Sequence, residues 1–238
     1  MEHQDAGLVV WDVDGTLMPA DLRWLRRSIA RTYGIDEAQV TFPEKKVHGY
    51  TDESIVIDTA IASGVPASDA EAGVPRFHQV LAEVMETGRG ELARVQPPYP
   101  GVADSVAELH RIGFVQTVLT GNLRVAAEIK IQSLNLGDGL DLEIGGYGSD
   151  ARDRFQLPEF VARRYRNKYG AVLSPNQTVV IGDAPNDIAC ARSAGFRAVV
   201  VAHRASREEL LSCGPDAVLD SLDPALVIAT LTSLVQQG

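Results

Sequence analysis

Asp12 and Asp14 stand two residues apart where an apolar run, Leu8-Val9-Val10-Trp11-Asp12-Val13, meets a turn at Gly15. Two carboxylates this close repel each other and shift each other's pKa unless a cation lies between them. Alternation along a strand would put both on one side, although the turn blurs this. Two other apolar runs also end in reactive groups: Thr120-Gly121-Asn122 after one, and Gly182-Asp183 followed by Asp187 after the other. An all-oxygen set of Asp12, Asp14, Asp183 and Asp187 suits a hard divalent cation such as Mg2+. With such an ion offsetting the repulsion, the Asp12 carboxylate can attack phosphorus and form an acyl phosphate. Asp14 would then protonate the leaving alcohol and later deprotonate the attacking water. Thr120 and the amides of Gly121 and Asn122, at the start of a helix, can cradle phosphoryl oxygens. A cation from a later loop should complete the phosphate clamp. Asp187 reads equally well as a helix cap and as part of the metal shell, and both roles are compatible.

These groups need strands that bring them to one edge. After the first run, residues 18–96 read as all-helical. Helices are expected from about Asp21 to Tyr33, ended by Gly34, then from Glu53 to Ala62 and from Ala67 to Thr87. The stiff segment Pro97-Pro98-Tyr99-Pro100-Gly101 closes this region. Strands are then expected at Phe114–Leu119, Leu142–Ile144, Thr178–Ile181, Ala198–Val201 and Ala217–Leu219. Helices alternate with them at Val102–Arg111, Val125–Leu134, Leu157–Tyr169, Ile188–Ala194 and Pro224–Val235. Such alternation predicts an α/β fold with a Rossmann-like, mostly parallel sheet and an inserted α-helical cap domain. The catalytic core would be residues 1–17 and 97–238, and the cap residues 18–96. In an open parallel sheet, sites gather at the carboxyl ends of the strands, where all three reactive segments fall.

Composition narrows the partners. The chain has 238 residues, 45% hydrophobic and 23% charged, enough to bury a core and stay soluble. Its net charge of −10 argues against nucleic acid or an anionic membrane as the main partner. It leaves room for a small anionic substrate, since local cations and helix ends override the global field. Two cysteines point to a reducing compartment without a disulfide framework. No apolar run spans a bilayer and the start of the chain lacks signal-peptide character, so a cytoplasmic location is expected. The four arginines between Arg23 and Arg31 read as a solvated helix face.

The motifs together resemble the haloacid dehalogenase superfamily over nearly the whole chain. Asp12-Val-Asp14-Gly-Thr16-Leu is similar to its first motif, Val118-Leu-Thr120-Gly-Asn122 to its second, and Gly182-Asp183-Ala-Pro-Asn-Asp187 to its acidic fourth. The insert between the first and second motifs resembles the helical-cap class, which includes phosphoglycolate phosphatase and β-phosphoglucomutase relatives. The resemblance implies a lysine in the third motif. Arg154 best fits that position, Arg152 is its rival, and Lys168 lies late on a helix. An arginine can clamp phosphate in a fork. In the cap, His48-Gly49-Tyr50-Thr51-Asp52 precedes a helix. Thr51 or Asp52 can cap that helix, or His48, Tyr50 and Thr51 can form the specificity loop that relatives carry there.

The expected activity is Mg2+-dependent hydrolysis of a small phosphate monoester, a phosphorylated metabolite. An acidic Asp14 favours phosphoryl transfer over dehalogenation. The alternatives are a phosphomutase sharing the first step and a catalytically silent metabolite sensor that kept the fold.

Overall fold

The computed structural model describes residues 6–43, 50–136 and 139–236. Six strands, Gly7–Trp11 (β1), Phe114–Thr120 (β2), Gly146–Tyr147 (β3), Thr178–Gly182 (β4), Arg197–Val201 (β5) and Ala217–Leu219 (β6), form one all-parallel sheet. Their spatial order is β3-β2-β1-β4-β5-β6. The chain winds outward from β1 on one side and resumes at β4 on the other. The crevice at this reversal lies between β1 and β4, where an open α/β sheet binds its ligand.

Between β1 and β2 come Arg23–Tyr33 (α1), Asp52–Ala62 (α2), Ala67–Ala72 (α3), Val74–Thr87 (α4) and Arg89–Val95 (α5). The remaining helices are Val102–Arg111 (α6), Arg124–Leu134 (α7), Leu157–Tyr169 (α8), Pro185–Ser193 (α9), Arg207–Ser212 (α10) and Pro224–Gln236 (α11). Alternation along β1 divides the core. Val9 and Trp11 face α6, α7 and α11, and the apolar core on that side runs on into the insert through Trp24, Phe77, Leu81 and Met85. Leu8 and Val10 face α8, α9 and α10. Among the described residues, no helix is long and apolar enough to cross a membrane.

Two sequence expectations are corrected. The helix predicted over Ala67–Thr87 breaks at Gly73 into α3 and α4. Pro75 begins the new helix, and with no N–H it cannot continue the old one. The strand predicted at Leu142–Ile144 is instead a turn, with the Tyr147 hydroxyl bonded to the Leu142 carbonyl at 2.5 Å, and the strand forms at Gly146–Tyr147. Gly146 packs so closely on the Leu157 carbonyl of α8 that a Cβ would collide there, so only glycine lets this edge strand approach the helix. The α1 arginines do more than solvate: Arg23 and Arg27 pair with Glu91 of α5, and Arg31 with Glu83 of α4.

The insert leaves and re-enters the sheet at one place. The Tyr99 amide bonds the Leu17 carbonyl at 3.0 Å. Gln96 joins both linkers: its Oε1 accepts from Trp24 Nε1 at 2.5 Å and its amide donates to the Pro19 carbonyl. A second seam fastens the start of α2 to the β2–α7 loop. The Asp52 amide donates to the Gly121 carbonyl at 2.7 Å, and Asp52 Oδ2 accepts from the Leu123 amide at 2.9 Å. Thr51 Oγ1 donates to the Arg152 carbonyl at 2.8 Å, and the Arg152 side chain pairs with Glu71 at 2.8 Å. The loop around Tyr50 lies so close to Gly121 that a Cβ there would strike the Tyr50 carbonyl.

Asp52 is fully buried in this seam, and burial raises its pKa from 3.8 to about 6 against the pull of Lys130 and the Leu123 amide. Between these values the folded chain holds a proton that the unfolded chain has lost. The stabilisation tied to that proton is complete below about pH 4 and disappears as pH rises through 6, a change on the order of 2–3 kcal/mol. In Asp52→Asn this titration is absent. Urea unfolding of both proteins at several pH values, in chelator, should show wild type losing that much more stability than the variant between pH 4 and 7. A pH-independent difference would contradict the buried carboxyl.

Candidate active site

β1 ends at Trp11, so Asp12 is the first residue beyond the strand, and its amide still bonds the Ile181 carbonyl of β4 at 2.8 Å. The chain then turns tightly: the Leu17 amide returns to the Val13 carbonyl at 3.0 Å and the Gly15 amide reaches the Met18 carbonyl at 2.7 Å. Gly15 has φ +100° and packs against the Asp183 carboxylate, where a Cβ would overlap it. Glycine is required there on both counts. His203 Nδ1 bonds the Gly15 carbonyl at 3.0 Å and stacks on Tyr99, which gives this histidine a structural place beside the turn.

Oxygens of Asp12, Asp183 and Asp187 lie within 4.8 Å of one another, all three residues buried. Burial and the charges of Asp187 and Asp183 push the Asp12 pKa well up, against Arg154. Burial and Asp187 push Asp183 to about 7, against Arg204, whose guanidinium is 3.7 Å away. A divalent cation fits this set: the donors are all oxygen, and added positive charge would oppose the upward shifts of Asp12 and Asp183. The three are not equally available. Asp187 has both oxygens engaged, Oδ1 by Arg154 at 2.6 Å and Oδ2 by the amides of Asp183 and Ala184 at 3.1 and 3.0 Å. It therefore caps α9 as well as lining the cluster. Asp12 keeps Oδ2 on a 3.3 Å bond from the Thr16 hydroxyl. The Asp14 carboxylate is not in the group and turns instead to Lys130.

Arg154 belongs to a short 3-10 turn, Arg154–Gln156, leading into α8. It is buried, and its Nη2 donates to Asp12 Oδ1 at 2.8 Å as well as to Asp187. Burial opposes its charge, and Asp187 and Asp12 more than offset this. Its Nε is buried without a hydrogen-bond partner among the described residues. Arg152 points away, to Glu53 and Glu71. Lys168 pairs with Asp141 and Glu143 at the surface.

Thr120 ends β2 and is buried, with Oγ1 accepting from the Asn122 amide at 3.2 Å, so its hydroxyl hydrogen remains to be donated. The Asn122 side chain lies between Lys130 and Asp52: Oδ1 accepts from Lys130 at 2.9 Å, and Nδ2 donates to Asp52 at 3.4 Å. One cavity brings Asp12, Asp14, Thr120, Gly121, Asn122, Lys130 and Arg154 together beneath Trp24, Leu25, Ile55, Leu81 and Met85 of the insert. Tyr50 and Asp52 also line it. Thr51 lies in the seam, and its hydroxyl also accepts a long 3.4 Å bond from the Ser54 amide at the start of α2. His48 lies outside the described residues.

Sequence reasoning missed Lys130 and underused Asp52. The signal for Lys130 was present. Leu123, Ala127, Lys130 and Leu134 recur at helical spacing, which makes Lys130 a charge on the buried stripe of α7.

The model of the haloacid dehalogenase-like hydrolase family matches residues 9–192. A phosphoglycolate phosphatase of Neisseria meningitidis is 26% identical over 230 residues, covering 93% of this chain and 92% of its own. The pyrophosphatase PpaX of Halalkalibacterium halodurans is 24% identical over 221 residues, covering 92% and 95%. Among solved structures, CbbY from Rhodobacter sphaeroides in complex with phosphate superposes with a TM-score of 0.60 at 19% identity, over 94% of this chain and 98% of that one. A hydrolase from Pseudomonas syringae gives 0.63 at 16%, over 92% and 96%. The structures share the fold. The family match spans most of the chain and carries Asp12, Thr120, Arg154 and Asp183 within it, so the chain belongs to the haloacid dehalogenase-like hydrolase family.

Proposed function

We propose that the protein hydrolyses a small phosphate monoester, with Asp12 as nucleophile, an aspartyl-phosphate intermediate and Mg2+ as cofactor. The observation that carries this reading is the convergence of Asp12, Asp14, Thr120 and Arg154 on one cavity at the reversal point of the sheet. Residues 18–96 act as a helical cap over a catalytic core of residues 1–17 and 97–238. The close approach of the two linkers at Leu17 and Tyr99 supports that division. Relatives named as phosphoglycolate phosphatases make phosphoglycolate the first substrate to try.

Each residue has a task its surroundings permit. Asp12 must be a carboxylate to attack, and Arg154 holds one of its oxygens, leaving the other for phosphorus. The unpartnered Nε of Arg154 and the Thr120 hydroxyl are donors for the phosphoryl oxygens. Asp14 is the general acid for the leaving alcohol and the base for water. Asp12 and Asp183, with Asp187 beside them, would hold the metal. Bound there, magnesium supplies positive charge against the repulsion between carboxylates and phosphate. The apolar helices above exclude water from the acyl phosphate until the alcohol has left.

Three outcomes test this. Asp12→Asn should reduce phosphoglycolate turnover at least about 10³-fold with the circular dichroism spectrum intact, since the nucleophile is lost. Turnover near wild type would end the nucleophile assignment. Excess chelator should stop hydrolysis and added Mg2+ should restore it; activity that persists in chelator contradicts the metal role. Arg154→Lys should lower kcat/KM about 10²-fold, the scale of one lost transition-state donor, whereas Arg152→Ala should change it less than about 3-fold. Steady-state kinetics giving the reverse order would move the phosphate clamp to Arg152.

A further inference from the structure

Lys130 is buried on α7, where an aliphatic side chain would pack between Ala127 and Leu134. A charge out of water costs several kcal/mol unless it is paired and hydrogen-bonded. Lys130 meets that condition with Asp14 Oδ2 at 2.5 Å and Asn122 Oδ1 at 2.9 Å. Asn122 is held in turn by Asp52 of the insert at 3.4 Å. The other oxygen of Asp14, Oδ1, is buried and has no hydrogen-bond partner among the described residues. Both Asp14 and Lys130 line the cavity over Asp12. An ammonium has hydrogens to give and no lone pair to receive one, so the oxygen it faces cannot also carry the acid proton. The two oxygens of Asp14 are thereby made unequal.

From this geometry we infer that Lys130 is the positioning residue of the general acid: it fixes the rotation of the Asp14 carboxyl and reserves Oδ1 for proton transfer. The inference rests on the phosphatase reading above. As a bond forms between an Asp12 oxygen and phosphorus, the bond from phosphorus to the ester oxygen breaks, and that oxygen takes the proton from Asp14 Oδ1. Asp14 is left as a carboxylate beside Lys130. In the second half a water oxygen bonds to phosphorus, its proton returns to Oδ1, and the bond from phosphorus to Asp12 breaks. Lys130 keeps all its protons throughout. Its contribution is orientation, and misplacing a catalytic group by about 1 Å can cost about 10²-fold.

A structural lysine or a phosphate-binding lysine would affect every substrate alike. In the first half-reaction, a lysine that orients the acid matters only where the leaving group needs a proton. Acetyl phosphate releases acetate and needs none, whereas an alkyl phosphate (phosphoglycolate or glycerol phosphate, whichever wild type turns over faster) releases a strongly basic alkoxide. In single turnovers with Mg2+ present, Lys130→Met should slow release of the alcohol from the alkyl ester about 10²-fold and release of acetate from acetyl phosphate less than about 3-fold. Asp14→Asn should show the same selectivity, and adding Lys130→Met to it should cost little more. Lys130→Gln, which keeps a donor and most of the length, should recover part of the loss and serves if the methionine variant is unstable. Equal losses in leaving-group release from both substrates, or fully additive effects with Asp14→Asn, would overturn the inference while leaving the phosphatase reading in place. A wild type inactive on all these esters, or unaffected by Asp12→Asn, would overturn both.

Discussion

Carboxylates cannot be crowded together away from water without cations among them, and the carboxyl end of this sheet gathers Asp12, Asp14, Asp183 and Asp187. Two buried cations divide them. Arg154 enters from the segment before α8 and bridges Asp12 to Asp187. Lys130 enters from α7 on the other side of the sheet and takes Asp14. The remaining imbalance falls on Asp12 and Asp183, whose pKa values burial and mutual repulsion raise. In the proposed role of nucleophile Asp12 must be a carboxylate, a form that one more positive charge in the site would favour. The crowding behind this lies in the positions of the side chains themselves and stands apart from any resemblance to other proteins.

The fold follows from keeping these groups in register. Parallel pairing of β1 with β4, Trp11 opposite Ile181, brings Asp12 and Asp183 to the ends of neighbouring strands at the reversal point. Gly15 lets the turn after Asp12 pass Asp183 without a side chain between them. Gly121 does the same where the insert crosses the β2–α7 loop. In both places the close contact is polar, and a methyl group would replace a needed approach with a collision.

Most of the scaffold was legible because its signals are local. Alternating apolar runs, Gly34 as a left-handed C-cap, and Pro-Gly before α6 all act over a few residues. Spacing also favoured Arg154 over Arg152, and the structure sets Arg154 against Asp12. What failed was decided by tertiary approach. Leu142–Ile144 has strand composition, yet the edge strand forms two residues later, where glycine alone fits beside α8. Asp187 read equally as cap or as metal shell because its two oxygens do different things. Asp52 read as a candidate helix cap, a place Thr51 takes, and nothing local says that its carboxylate faces another part of the chain. Lys130 is different: the helical periodicity places it on the buried stripe of α7, a signal the sequence analysis left unused.

The origin of each wall of the cavity separates two duties. The floor, with Asp12, Asp14, Thr120, Asn122, Lys130 and Arg154, comes from the sheet and the helices that follow it. The apolar roof, with Trp24, Leu25, Ile55, Leu81 and Met85, comes from the insert. Under the proposed function, bond breaking would depend on the floor, where fixed charge must stay fixed. Discrimination among alcohols would depend on the roof, where a methylene more or less is worth only about 1–3 kcal/mol and can change without touching the charges. The two meet at Asp52, which comes from the insert yet bonds Leu123 and Asn122 of the floor. The seam around it is a few hydrogen bonds and exposed ion pairs, the latter worth at most about 1 kcal/mol each. Across this seam the insert's Asp52 reaches Asn122, which also accepts from Lys130, the partner of Asp14.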